Sequence, residues 1–333
     1  MKILMFGRGV ISSTYGWAFE RAGHEVEFYV RPGRSVVYGP AIDVDIVDAR
    51  KRPWGQRFLE SWPVRYREVL EPNHDFDLIV LSVAHHRLAE AATFLAPRVG
   101  NATVLIFGNV WAEPLSAITS LPPEQVAWGF PGTGGGFGTD GVLRTAIIPF
   151  VTFGTFGQPP TERERAVRDV FRGAGFRITE QADFRGWLWM HFVFDAGIHA
   201  QGLRLGSLSE LVGKRKELRE ALLTSRELLP ILTARGVDLG RHRGAVIGLN
   251  GPTWLTALVV SWLIVHVPLA RRSLEAHSDP SAEEPRVICV DTLAEAHRRG
   301  VKAPRLEAAA SYFGSLVGEA ENPPHTELGS VTA

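Results

Sequence analysis

Between residues 189 and 199 the chain reads Trp-Met-His-Phe-Val-Phe-Asp-Ala-Gly-Ile-His. His191, Asp195 and His199 fall at i, i+4 and i+8, so on a helix they form one polar stripe through an apolar and aromatic surface. Polar groups in such a setting are either satisfied by partners or put to chemical use. Two readings follow: a His–Asp–His ladder that caps a contact between domains, or a stripe that faces a substrate. In the second, the carboxylate one turn from His191 favours the protonated imidazole, which can then act as an acid.

A second constellation lies at the N-terminus. The apolar run Ile3–Phe6 meets Gly7-Arg8-Gly9, an amphipathic helix pattern runs from Ile11 to Ala22, and Gly23-His24 breaks it before a second apolar run, Val26–Val30. Strand, glycine turn, helix, strand is the pattern of a dinucleotide-binding βαβ unit. Gly7 allows the tight turn, and Gly9 lets the backbone approach a pyrophosphate at the helix N-terminus. Ser12 stands where a third glycine is usual and is small enough for close helix–strand packing. An acidic residue at the end of the second strand would hold the ribose 2′-hydroxyl of NAD. Arg31 occupies that place, with Arg34 close by. These arginines suit a 2′-phosphate, so the expected cofactor is NADP(H). His85-His86 follows Val83 at the carboxyl end of another strand, the cofactor-facing edge of such a sheet. His86 either stacks on or hydrogen-bonds the cofactor, or belongs to a surface pair that opens a helix.

The elements that position these residues read as a doubly wound first half and a helical second half. Asp77–Val83, Ala102–Phe107, Gln125–Phe130, Thr145–Phe153 and Phe176–Thr179 read as strands, and His86–Leu95 and Glu162–Gly175 as helices. The glycine-rich Gly132–Gly141 lacks the Gly-Lys-Ser/Thr ending of a phosphate loop and reads as a flexible hairpin loop. Beyond residue 182 the strand signal disappears. Gly186–Leu203, Ser207–Arg235, Pro252–Ala276 and Glu283–Arg299 all read as long helices. The expected class is α/β plus all-α: a Rossmann-like doubly wound sheet over residues 1–182, and an all-α substrate and dimerisation domain over 183–321. Residues 322–333, with Pro323-Pro324 and small polar residues, read as a disordered tail.

At 333 residues and 45% hydrophobic content the chain can build substantial cores. Lys+Arg and Asp+Glu balance at 36 each, so no global field points to nucleic acid. The single cysteine, Cys289, excludes a disulfide framework, and no His/Asp cluster has metal-ligand spacing. Trp254–Leu269 is almost wholly apolar, yet it falls short of the roughly 20 residues a membrane span needs. It reads as a helix buried within the helical domain or in a homodimer interface. The N-terminal apolar run is consumed as the first strand, so no signal peptide is read and the expected location is cytoplasmic.

Taken together these residues resemble the ketopantoate reductase family, NADPH-dependent 2-dehydropantoate 2-reductases and their relatives. The resemblance covers nearly the whole chain. The N-terminal Met-Lys-Ile, the glycine turn and the arginine after the second strand are similar to that family's cofactor site. The family's Asn-Gly at the end of a middle strand corresponds to Asn109, here followed by Val110. By resemblance Asn109 holds the nicotinamide ribose and the substrate. The family's helix motif Trp-x-Lys-x3-Asn-x3-Asn, whose lysine is the general acid, appears here as Trp189-x-His191-x3-Asp195-x3-His199. Gly300-Val301-Lys302-Ala303-Pro304 matches the family's C-terminal signature, and counting back places Glu284 at its glutamate and Ser273 within one residue of its serine.

The resemblance implies His191 as general acid, Glu284 and Asn109 as substrate-positioning groups, Asp195 as the group that tunes the histidine, and His199, Ser273 and His277 as substrate contacts. A carboxylate at 195 repels an acidic substrate. The departures therefore point away from ketopantoate toward another small molecule, a neutral or cationic carbonyl compound or an imine. The alternative is a non-catalytic NADP(H)-binding redox sensor.

Overall fold

The structure, a computed structural model, describes residues 1–275 and 283–314. His277 and the expected tail lie outside the described residues.

The strands are β1 (Lys2–Phe6), β2 (Glu25–Tyr29), β3 (Ala41–Asp48), β4 (Gln56–Pro63), β5 (Tyr66–Arg67), β6 (Leu78–Leu81), β7 (Thr103–Phe107), β8 (Val126–Phe130), β9 (Gly134–Phe137), β10 (Leu143–Ile147), β11 (Phe150–Gly154) and β12 (Arg177–Gln181). The helices are α1 (Val10–Glu20), α2 (Arg34–Tyr38), α3 (Leu88–Leu95), α4 (Glu162–Gly173), α5 (Phe184–Leu205), α6 (Arg215–Ala234), α7 (Arg243–Asn250), α8 (Thr253–His266), α9 (Pro268–Glu275), α10 (Glu283–Arg298), α11 (Pro304–Ala308) and α12 (Ala310–Phe313).

An eight-stranded sheet runs β12-β11-β8-β7-β6-β1-β2-β5, parallel throughout except where β11 meets β8. β1, β6 and β7 are fully apolar at their centres and covered on both faces, as parallel strands require. Their carboxyl ends deliver Gly7, His85 and Asn109 to one edge. After β12 the described chain is helical, so the α/β sheet followed by an all-helical region is as expected.

A second, four-stranded sheet, β4-β3-β10-β9, was not anticipated. Its β3 pairs antiparallel with β4 and parallel with β10. The expected single strand Thr145–Phe153 is two strands in two different sheets. Pro149 between them lacks a donor for either ladder, and the chain crosses from one sheet to the other there. The glycine-rich stretch is not wholly loop. Residues 134–137 form β9, an arm of a hairpin with β10, and Gly141 takes φ +77° in the turn.

α1 lies between the two sheets. Trp17 donates from Nε1 to Glu60 of β4 at 2.7 Å. Gly16 passes so close to β2 that a Cβ there would lie 2.9 Å from the Phe28 ring.

Two helix expectations also shift. The segment expected to be helical from Ser207 becomes α6 only at Arg215, because Gly213 takes φ +76° just before it. Pro252–Ala276 is broken into α8 and α9 at Val267, which precedes Pro268 and is extended, at φ −103° and ψ 108°.

The burial expected for the apolar stretch does not hold within the single chain. Ala257, Ser261 and Ile264 face inward, but Trp254 is 61% and Trp262 56% exposed, with Leu255, Val259 and Val265 also open. Among the described residues no single helix is long and apolar enough to cross a membrane, and α7 and α8 bend by 110° where they meet.

Candidate active site

The β1–α1 turn has the geometry of an anion cradle. Gly7 takes φ +92°, which only glycine adopts without strain, and its N–H donates to the Tyr29 carbonyl at 2.9 Å. Gly9 is the N-cap of α1 and offers no capping side chain, so the first N–H groups of the helix remain open. A Cβ built on Gly7 or Gly9 would meet nothing within 4 Å, which leaves room for a bulky group against the backbone. Ser12 is fully buried. Beside the turn, the Arg8 guanidinium lies 4.9 Å from the Tyr38 ring centre and 4.8 Å from that of Phe137, and its Nε is buried without a partner. Orphaned donors around an open glycine turn fit a dinucleotide's pyrophosphate. Arg31 and Arg34 follow β2 and are exposed, and among the described residues neither is paired with a carboxylate.

The polar stripe sits on α5, whose N-cap Asp183 accepts from Gly186 N at 3.0 Å and from His242 at 3.0 Å. α5 is docked under the sheet edge by aromatic packing. Trp111 stacks on Phe192 at 4.5 Å, and Trp189 donates to the Ala112 carbonyl at 3.2 Å. This docking brings His191 against Phe130 at the end of β8, with ring centres 4.3 Å apart, and stacks it on Trp187 at 5.4 Å. His191 Nε2 lies 3.6 Å from Asp195.

Asn109, just past β7, donates from Nδ2 to Asp195 Oδ2 at 3.0 Å across the junction. The same amide faces Glu284 at the start of α10 and favours its ionised form. Burial and the nearby Asp195 charge outweigh that help and hold the Glu284 carboxyl above its ordinary range. The structure thus brings together His191, Asp195, Asn109 and Glu284, which are 175 positions apart at the extremes, from Asn109 to Glu284 (284 − 109).

The other candidates are placed differently. His86 turns toward α10, with Nε2 3.5 Å from Glu283. His199 is buried. α9, which carries Ser273, packs on β9 and β10 of the second sheet. His277 lies outside the described residues. Among the described residues no group of acidic, histidine and cysteine side chains could hold a metal ion.

Sequence reasoning passed over a further pair. His85 Nε2 lies 2.8 Å from Asp291 of α10, the His85 side chain is 5% exposed, and its Nδ1 is buried without a partner. The ring stands edge-on to Phe192 at 4.7 Å. The signal that could have found it is the i, i+7 spacing of Glu284 and Asp291, which puts both on one face of α10.

Comparison with known proteins agrees with this architecture. Residues 3–157 match the family model described as Ketopantoate reductase PanE/ApbA. No curated protein matches the sequence significantly. Among solved structures, the 2-dehydropantoate 2-reductase of Geobacter metallireducens superposes with a TM-score of 0.66 at 16% identity, over 94% of this chain and 99% of that one. A D-mandelate dehydrogenase solved with NADH and anilino(oxo)acetate superposes with a TM-score of 0.65 at 14% identity, over 94% and 97%. The dimeric ketopantoate reductase of Staphylococcus aureus does so at 0.58 and 14%, over 93% and 97%. Over residues 3–157, just under half of the chain, the sequence is similar to the ketopantoate reductase PanE/ApbA family, and the whole chain shares the fold of these solved structures.

Proposed function

We propose that the protein is an NADPH-dependent oxidoreductase that reduces the electrophilic carbon of a small molecule, 2-oxo acid-like, ketone or imine, and that ketopantoate is not its substrate. The observation that carries this reading is the junction of Asn109, Asp195 and Glu284, with the protonatable ring of His191 beside it at the carboxyl edge of the sheet. Ligands of open α/β sheets bind along that edge. Arg31 and Arg34 support a 2′-phosphate, which favours NADPH over NADH.

When bound, NADPH supplies a hydride to the substrate carbon. His191 delivers the proton to the heteroatom, and its ring is held in place by Trp187 and Phe130. Asp195 stabilises the imidazolium, Asn109 fixes Asp195, and Glu284 with Asn109 positions the substrate.

The experiment is a screen of NADPH oxidation across 2-oxo acids, ketones and imines, with NADPH binding measured in parallel by fluorescence. Turnover in at least one class supports the reading. Tight NADPH binding without turnover in any class would favour the non-catalytic sensor. We also infer a homodimer built on the exposed face of α8. That face carries no charged side chain, and a dimeric relative of the same fold supports the idea.

A further inference from the structure

At the Asn109 junction the hydrogen-bonding positions left open are acceptors. Asn109 spends its N–H₂ on the carboxylates, which fixes the amide's orientation and leaves Oδ1 buried without a partner. His85 donates from Nε2 to Asp291, so its buried and unpartnered Nδ1 is an acceptor in the neutral ring. Asp195 and Glu284 add carboxylate oxygens. Among the described residues no lysine or arginine is paired with Asp195, Glu284 or Asp291, and the imidazoles of His85 and His191 stand beside Asp291 and Asp195. The rings of Phe130 and Trp187 pack against His191 beside the site. A ligand that completes this site must bring N–H donors and positive charge. A 2-oxo acid brings neither.

We propose that the site takes a protonated imine, its N–H directed at Asn109 Oδ1 and its charge balanced by Asp195 and Glu284. This rests on the reductase reading above and names its substrate class. The imine nitrogen takes its proton from the His191 imidazolium. Hydride from the reduced nicotinamide then forms the new C–H bond, and the C=N π pair moves to nitrogen as the lone pair of a secondary amine. The nicotinamide is oxidised, and His191 recovers its proton from water. Glu284 and Asp195 stabilise the iminium once His191 has protonated it, while the substrate carbon is most electrophilic.

The test is binding as well as turnover. The protein saturated with NADP⁺ is titrated by calorimetry with 2-methylpyrrolidinium, a product-like cation, and with cyclopentanecarboxylate, an anion of similar size. NADPH oxidation is followed with 2-methyl-1-pyrroline and with 2-oxo acids. The expected result is binding of the ammonium ion at least tenfold tighter than the carboxylate, and turnover of the pyrroline. Asp195→Asn and Glu284→Gln should each weaken ammonium binding about tenfold to a hundredfold while NADPH affinity stays within twofold. Carboxylate binding equal to or tighter than ammonium binding in the unaltered protein overturns the proposal. Unchanged ammonium affinity in both variants overturns it as well. Failure to bind NADPH overturns the reductase reading itself, whereas NADPH binding with no ammonium binding overturns this inference alone.

Discussion

His191 is held more by rings than by charge. Its Nε2 is 3.6 Å from Asp195, beyond a hydrogen bond, while Phe130 and Trp187 fix the plane of the imidazole. General acid catalysis is typically worth about 10²–10⁴-fold, so His191→Ala should lower kcat by that factor and leave NADPH affinity unchanged. His191→Lys installs the lysine of the ketopantoate reductase helix motif that this segment resembles and should retain turnover, measured on whichever substrate the screen identifies. At the other end of the cofactor, removing a charge-assisted contact costs roughly 1.5–3 kcal/mol. Arg31→Ala should therefore weaken NADPH tenfold or more and barely affect NADH, and equal loss of both would make Arg31 a structural residue.

Glu284 yields a prediction independent of any substrate. Burial and the Asp195 charge raise its folded value above the ordinary 4.5. The folded protein therefore holds this proton more tightly than the unfolded chain does. That contribution to stability is fully present at acid pH and is lost as pH rises through the raised value. Glu284→Gln keeps the side chain neutral at every pH. Its Tm should match that of the unaltered protein near about pH 4 and exceed it by roughly 2 °C or more near pH 8. A Tm difference that does not change with pH would remove the electrostatic explanation.

The same stripe depends on how closely two helices can approach. A Cβ at Gly197 of α5 would lie 2.0 Å from Ser225 Oγ and 2.7 Å from the Ala221 carbonyl of α6, so the helices cross on bare backbone there. Gly197 lies between Asp195 and His199, and any widening of the crossing tilts the whole stripe. Gly197→Ala should cost about 1–3 kcal/mol through overpacking and reduce turnover while NADPH binding persists. Gly244→Ala in α7 is the control, because its Cβ would meet nothing within 4 Å. There the substitution should be neutral or stabilising by up to about 1 kcal/mol. Thermal unfolding of the two variants separates close crossing from a general dislike of alanine.

For the molecule as a whole, two features both favour association. Formal charge sums to zero, and a surface without net charge gives little protection against association. Into that surface α8 sets Trp254, Val259 and Trp262, an apolar face of the kind that monomers rarely leave open. A second copy of the same face can cover it without like-charge repulsion. Sedimentation velocity should find a dimer at micromolar concentration. Trp262→Glu should shift it to monomer with NADPH binding intact, and a monomer in the unaltered protein would end the dimer proposal.

The sequence alone determined whatever is local. The glycine turn, its helix and the arginines after β2 are contiguous, so their chemistry can be read by eye. The i, i+4, i+8 stripe likewise follows from helix geometry once the segment is helical. The second sheet is not legible in the sequence because β4 mixes polar and apolar residues on both faces and β9 is glycine-rich, which hides the alternation that marks a strand. The apolar content of α8 was plain, but whether that face meets a core or solvent depends on what packs beside it. Tertiary structure alone joined His85 to Asp291, 206 positions apart, and turned the Asn109 amide toward two carboxylates on different helices. Hydrogen bonds between distant segments leave no period or spacing in a sequence. They arise only when folding brings the sheet edge and the helices to one place, and there the pattern of donors and acceptors, and with it the charge the site prefers, is decided.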